Sequence, residues 1–251
     1  MLFRSSRNPV PLSSVGLVVG DPDTAGRAVG LAAARREAYA IRQAFYRGAR
    51  YVGRRPDGSP SPSGAGTADQ VREWLANPSP AAGAMLHLAC HGSFTADPDD
   101  AKSYLLLAAG APPRHDGDEL SADELMDAMA KSAHSGVGLV VLAACNTGRS
   151  IHGYDEAYSL GTAFLAGGVR TVLSTQWSIP DLHTSSLMFM FHYYLRHEAL
   201  PPWQALRQAQ LWMLDPHRQP PSKMPAELRP QPSAGDPADV LAWAGFVHWG
   251  Q

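Results

Sequence analysis

Two stretches of this chain are apolar without alternation. One spans residues 84–90 and contains Leu86-His87-Leu88-Ala89-Cys90; the other spans residues 138–144 and contains Val140-Val141-Leu142-Ala143-Ala144. A strand with one wet face alternates apolar and polar side chains, whereas a strand without alternation is covered on both faces. Such strands belong to a mostly parallel sheet with helices on either side. Each run ends on a residue with chemistry, followed by a turn former: His91-Gly92 after the first, Cys145-Asn146-Thr147-Gly148 after the second. Reacting groups in these sheets collect beyond the carboxyl ends of the strands. Neighbouring placement of the two runs would bring an imidazole and a thiol to one sheet edge, the minimum equipment of a cysteine hydrolase.

The rest of the chain fits an α/β alternation. Val15–Val19 reads as a buried strand, residues 27–47 as a helix, and residues 53–66 as an exposed, mobile loop rich in Gly, Pro and Ser. Thr67 with Gln70 and Ser121 with Glu124 are capping boxes that open helices. Residues 92–103 read as a polar, acidic loop, and 104–108 as a short strand or hairpin arm. A helix over 156–166 is closed by Gly167-Gly168, and a strand follows over 169–174. Long helices are expected over 180–197 and 202–214. Residues 215–238 hold seven prolines and read as a second mobile loop, before a last apolar element at 243–249. One domain over residues 1–251 is expected.

Bulk composition narrows the function. The formal net charge is -2 over 251 residues, with no basic stripe, which argues against nucleic acid as a partner. No segment reads as a signal peptide or a membrane span. Two cysteines are no disulfide framework and fit the reducing cytoplasm. No cofactor motif stands out: Gly20–Gly26 lies between a strand and a helix but lacks the glycine and lysine spacing of a phosphate loop.

The chemistry requires these residue types. A free thiol is only a few per cent thiolate at neutral pH, so a nearby imidazole must accept its proton. The tetrahedral intermediate needs donors, for which the backbone N–H groups of Gly92 and Cys145 are the natural candidates. Cys90 alternates to the other strand face and reads as a small core residue; His87 reads as a core or supporting histidine. A zinc site from His87, Cys90, His91 and Cys145 is the alternative by residue type, although His-x-x-x-His converges on one metal when helical. Asp155 is read as a helix cap and Asp181 as a helix-start acid, with an acidic specificity pocket as their alternative role. His183, His192 and His197 fit no ligand spacing and read as helix-face or cap residues; Trp203 and Trp212 read as packing.

Several stretches together resemble one family. They are His87-Leu-Ala-Cys-His91-Gly92, Val141-Leu-Ala-Ala-Cys145-Asn-Thr147-Gly148, Leu160-Gly-Thr-Ala-Phe164-Leu-Ala166-Gly-Gly168-Val-Arg-Thr-Val172, Trp177-Ser-Ile-Pro-Asp181, Ala205-Leu206-Arg-Gln-Ala209-Gln210 and Trp243-Ala-Gly-Phe-Val247. In type, order and spacing the chain resembles a CHAT domain, a bacterial member of the caspase–separase superfamily. The 54 residues between His91 and Cys145 match the caspase pattern, in which the histidine lies about 50 residues upstream. The resemblance implies a caspase-like three-layer α/β sandwich and cysteine endopeptidase activity. His91 would be the general base and Cys145 the nucleophile. Thr175, Gln176 and Trp177, with Asp181, would line the substrate cleft. The substrate would be a specific protein, cut in defence or programmed cell death. Control would fall to a sensor partner, such as a tetratricopeptide-repeat protein. A catalytically inactive interaction module on the same fold and a metal-dependent hydrolase are the rival readings.

Overall fold

The computed structural model describes residues 12–76, 83–95, 102–110, 118–131, 136–145, 147, 159–179, 181–230, 240 and 243–251. Its core is a six-stranded sheet. In chain order the strands are β1 (Gly16–Gly20), β2 (Arg50–Gly53), β3 (Ala84–Ala89), then β4 (His91–Thr95), β5 (Lys102–Leu106) and β6 (Glu119–Ser121), then β7 (Val137–Leu142), β8 (Thr171–Thr175) and β9 (Phe246–Gly250). The six-stranded sheet runs β2-β1-β3-β7-β8-β9. Its first five strands are parallel, and β9 runs antiparallel along the edge of β8. Strands β4, β5 and β6 form a separate antiparallel sheet.

The absence of alternation in β3 and β7 has the expected cause, since every residue of both strands is buried. Successive side chains feed two cores. Val18, Met85, Leu139, Val141 and Leu173 pack with helices α1 (Ala32–Phe45), α5 (Asp181–Arg196) and α6 (Pro202–Leu214). Leu17, Val19, Leu86, Leu88, Val140 and Val172 pack on the other face with α2 (Ala68–Ala76), α3 (Ala122–Ala130) and α4 (Leu160–Ala166). The result is the three-layer α/β sandwich. Each such aliphatic side chain contributes roughly 1.5–3 kcal/mol by leaving water. Among the described residues no helix is long and apolar enough to cross a membrane.

Local signals behave as their chemistry dictates. Both expected capping boxes form: the Thr67 hydroxyl accepts from the Gln70 N–H at 3.2 Å, and Ser121 accepts from Glu124 at 3.3 Å. The helix before Gly167-Gly168 starts at Leu160 on a Ser159–Thr162 capping box. Asp155, expected as its cap, lies outside the described residues. The first helix begins at Ala32 rather than near residue 27, because Ala25 and Gly26 take positive φ in a turn. Strand β2 was not anticipated. Beyond it, residues 53–66 fold back through backbone hydrogen bonds, with Ser61 Oγ donating to the Tyr51 carbonyl at 2.7 Å. Trp212 packs as expected, while Trp203 is exposed. Residues 92–95, read as loop, are most of β4; its antiparallel partner is the next strand, β5, whose residues 104–106 fall in the stretch read as a short strand or hairpin arm.

One buried polar chain crosses the first core. Tyr46, on the last turn beyond α1, meets His192 Nδ1 at 3.0 Å; His192 Nε2 meets His87 Nδ1 at 3.3 Å; His87 Nε2 meets Glu37 Oε1 at 3.0 Å. A carboxylate only accepts, so His87 carries its proton on Nε2, His192 donates from its own Nε2, and the Tyr46 hydroxyl donates into Nδ1. His192, expected on a helix face or cap, is wholly buried here. Burial, then His87 and Arg196, hold His192 well below its ordinary pKa. Its neutral form is therefore favoured by folding. Above about pH 6.5 this costs nothing; below it the unfolded chain binds a proton that the folded chain does not. Stability is expected to fall as the pH drops below about 6.5 through this group. Urea unfolding at pH 7, 6 and 5 measures it. Replacing His192 by asparagine should remove about one proton from the slope, and an unchanged slope would contradict the assignment.

Candidate functional site

The sheet register brings His91 and Cys145 to the same edge. Leu88 on β3 pairs with Leu142 on β7, and His91 and Cys145 each lie three residues beyond that pair. At Cys90 the chain leaves the main sheet and enters β4, so His91 sits at the junction of two sheets. His91 and Cys145 line one cavity of about 150 Å³, together with Leu31, Ala34, Glu37, Thr175, Ile179 and Phe246 among others.

Gly92 makes the close approach. A Cβ on this residue would lie 2.3 Å from the Cys145 carbonyl oxygen, 3.2 Å from Thr147 Cγ2 and 3.3 Å from Ala144 Cβ. Glycine lets the β4 backbone touch the cysteine loop directly. Replacing Gly92 by alanine must push that backbone away. The expected outcome is a loss of about 1–3 kcal/mol of stability from overpacking. Urea melts read it. A wild-type melt would contradict the contact.

The imidazole is held by a backbone carbonyl. His91 Nε2 lies 2.7 Å from the Val29 oxygen. A carbonyl only accepts, so Nε2 carries the proton and Nδ1 is left basic. This orienting group was missed in the sequence because a carbonyl has no residue identity. The thiol is half-buried, and its sulfur lies 3.9 Å from the Ile179 carbonyl.

The loop that presents Cys145 is clamped by threonines. Thr175, at the end of β8, donates its hydroxyl to the Ala144 carbonyl at 2.6 Å. Thr147 donates to the same carbonyl at 3.3 Å, and the Thr175 N–H donates to the Thr147 hydroxyl at 3.1 Å. Thr175 is thus buried, bonded to the loop and part of the cavity wall. The Gln176 N–H donates to the Gly245 carbonyl at 2.9 Å. Trp177 is partly exposed and lies against Gly245. Asp181 is the first residue of α5; its side chain, like Asn146 and Gly148, lies outside the described residues.

The neighbouring thiol and histidine differ in kind. Cys90 is buried, and that burial pushes its thiol well up from the ordinary range, so it stays protonated. His87 belongs to the buried polar chain and is bonded on both ring nitrogens. Among the described residues no group of three or more His, Cys, Asp or Glu side chains is arranged to hold a metal ion.

The family model of the CHAT domain matches residues 2–251. No curated protein matches the chain.

Proposed function

The chain belongs to the CHAT domain family, which is associated with caspase-like cysteine peptidases, and from that premise we propose that it is itself a cysteine endopeptidase. The observation that carries this reading is the shared cavity: one basic imidazole nitrogen and one free thiol on adjacent strand ends. In the proposed reaction Cys145 Sγ attacks the scissile carbonyl carbon, and its proton passes to His91 Nδ1. The backbone N–H groups of Gly92 and Cys145 receive the developing oxyanion. His91 then gives its proton to the leaving amine, and an acyl-thioester remains. Water, deprotonated by His91, hydrolyses the thioester and returns the thiol.

No cofactor enters these steps. The resting thiol faces the Ile179 carbonyl, so a turn about the Cys145 side-chain bond precedes attack. Loose hydrogen bonds of this kind are common in substrate-free sites and tighten with substrate. Gln176 and Trp177 sit just past the clamp strand and are proposed to flank the bound peptide. The substrate is proposed to be a specific protein, and a separate sensor protein to control access. Two free cysteines support a reducing, cytoplasmic setting.

A peptidyl acyloxymethyl ketone tests the reading. It should alkylate Cys145 and leave Cys90 untouched, as tryptic mass spectrometry would report. Absence of label at Cys145, in protein whose two thiols both alkylate after unfolding, would sink the peptidase reading.

A further inference from the structure

Glu37 lies on the apolar stripe of α1 and is wholly buried. A charged residue there is costly unless its oxygens are paired. Only Oε1 is: it accepts from His87, while Oε2 has no hydrogen-bond partner. Glu37 also lines the cavity that holds His91 and Cys145. The remaining walls there are largely apolar, among them Leu31, Ala34, Ala143, Ile179 and Phe246. At about 150 Å³ the space is well below the roughly 300–1,000 Å³ of a small-molecule site. It suits one side chain.

The chemistry of that side chain follows. A long cationic residue lays its methylene stem along apolar walls and keeps its charged head on a polar partner. A half-satisfied carboxylate is a strong acceptor for such a head. The partner oxygen is fixed in advance, because Oε1 is tied through His87 and His192 to Tyr46. Because Cys145 shares the cavity, the nearest substrate side chain is that of the residue whose carbonyl the sulfur attacks. We propose that Glu37 is a specificity-determining residue, whose free oxygen selects lysine or arginine on the acyl side of the scissile bond. This rests on the peptidase reading above and names its substrate class.

Two peptidyl acyloxymethyl ketones, differing only in lysine or norleucine beside the reactive group, test it on the full chain. Norleucine keeps the stem and removes the charge. Wild-type protein should label at Cys145 about 10- to 100-fold faster with the lysine probe, the range of a hydrogen bond to a charged group. Glu37→Gln keeps an oxygen for His87 and should bring the ratio near unity. The wild-type ratio needs no variant, so a misfolded Glu37→Gln would not protect the proposal. A norleucine probe that is as fast or faster in the wild type overturns it, as does a lysine preference that survives Glu37→Gln. In either case the His91–Cys145 pair stands. Failure of both probes to label Cys145 overturns the peptidase reading and this inference with it.

Discussion

Cys145→Ala is expected to abolish peptide cleavage, with a fall on the order of 10⁶-fold in kcat, the size seen when the nucleophile of a nucleophile–base pair is removed. Among the described residues, neither Cys90 nor Thr175 is placed to take over. The other thiol, Cys90, is buried in the core and held protonated. The hydroxyl of Thr175 is committed to the Ala144 carbonyl. Alanine at position 145 removes little volume from a half-buried site, so the fold and its melting temperature should be close to the wild type. Cleavage of a fluorogenic peptide, beside a thermal melt, separates lost chemistry from lost structure. Retention of more than about a hundredth of the wild-type rate would be incompatible with the thioester route.

His91→Gln is the second large effect. Glutamine can still donate an amide N–H toward the Val29 carbonyl, so the junction between β3 and β4 keeps its anchor. It cannot accept a proton. The expected cost is about 10²- to 10⁴-fold in kcat/KM, the worth of a positioned general base. Alkylation of Cys145 by a small reagent should continue, because the thiol itself is intact. A variant that cleaves at the wild-type rate would remove His91 from the reaction.

The fold was legible where local chemistry decides structure. The apolar runs around Leu86 and Val140 announced buried parallel strands because an uncovered face would have shown polar residues. The Ser121–Glu124 pair announced α3 because capping is a three-residue affair. The meeting of His91 and Cys145 at one cavity was legible for a related reason: both end these runs, and the runs are sheet neighbours. What stayed hidden carries little local signal. Residues 92–95 are mostly polar, so their arm of the β4–β5 pair read as loop, although residues 104–108 read as a short strand or hairpin arm. The Val29 and Ile179 carbonyls have no side-chain identity to read. Glu37 did leave a signal, a carboxylate on the same helix face as Ala34, Ala38 and Ile41. Its neighbours His87 and His192 lie far apart in sequence, so spacing could not assemble the chain that ends on it.

The central claim is that His91 and Cys145 act as one unit, and a double-mutant cycle measures it. The quantity is kcat/KM for wild type, Cys145→Ala, His91→Gln and the double variant on one fluorogenic peptide. A base with no nucleophile to serve contributes nothing further, so the double variant should be no slower than Cys145→Ala alone. A double variant slower than Cys145→Ala by the full His91→Gln factor would mean that the two residues act independently, and would contradict the account.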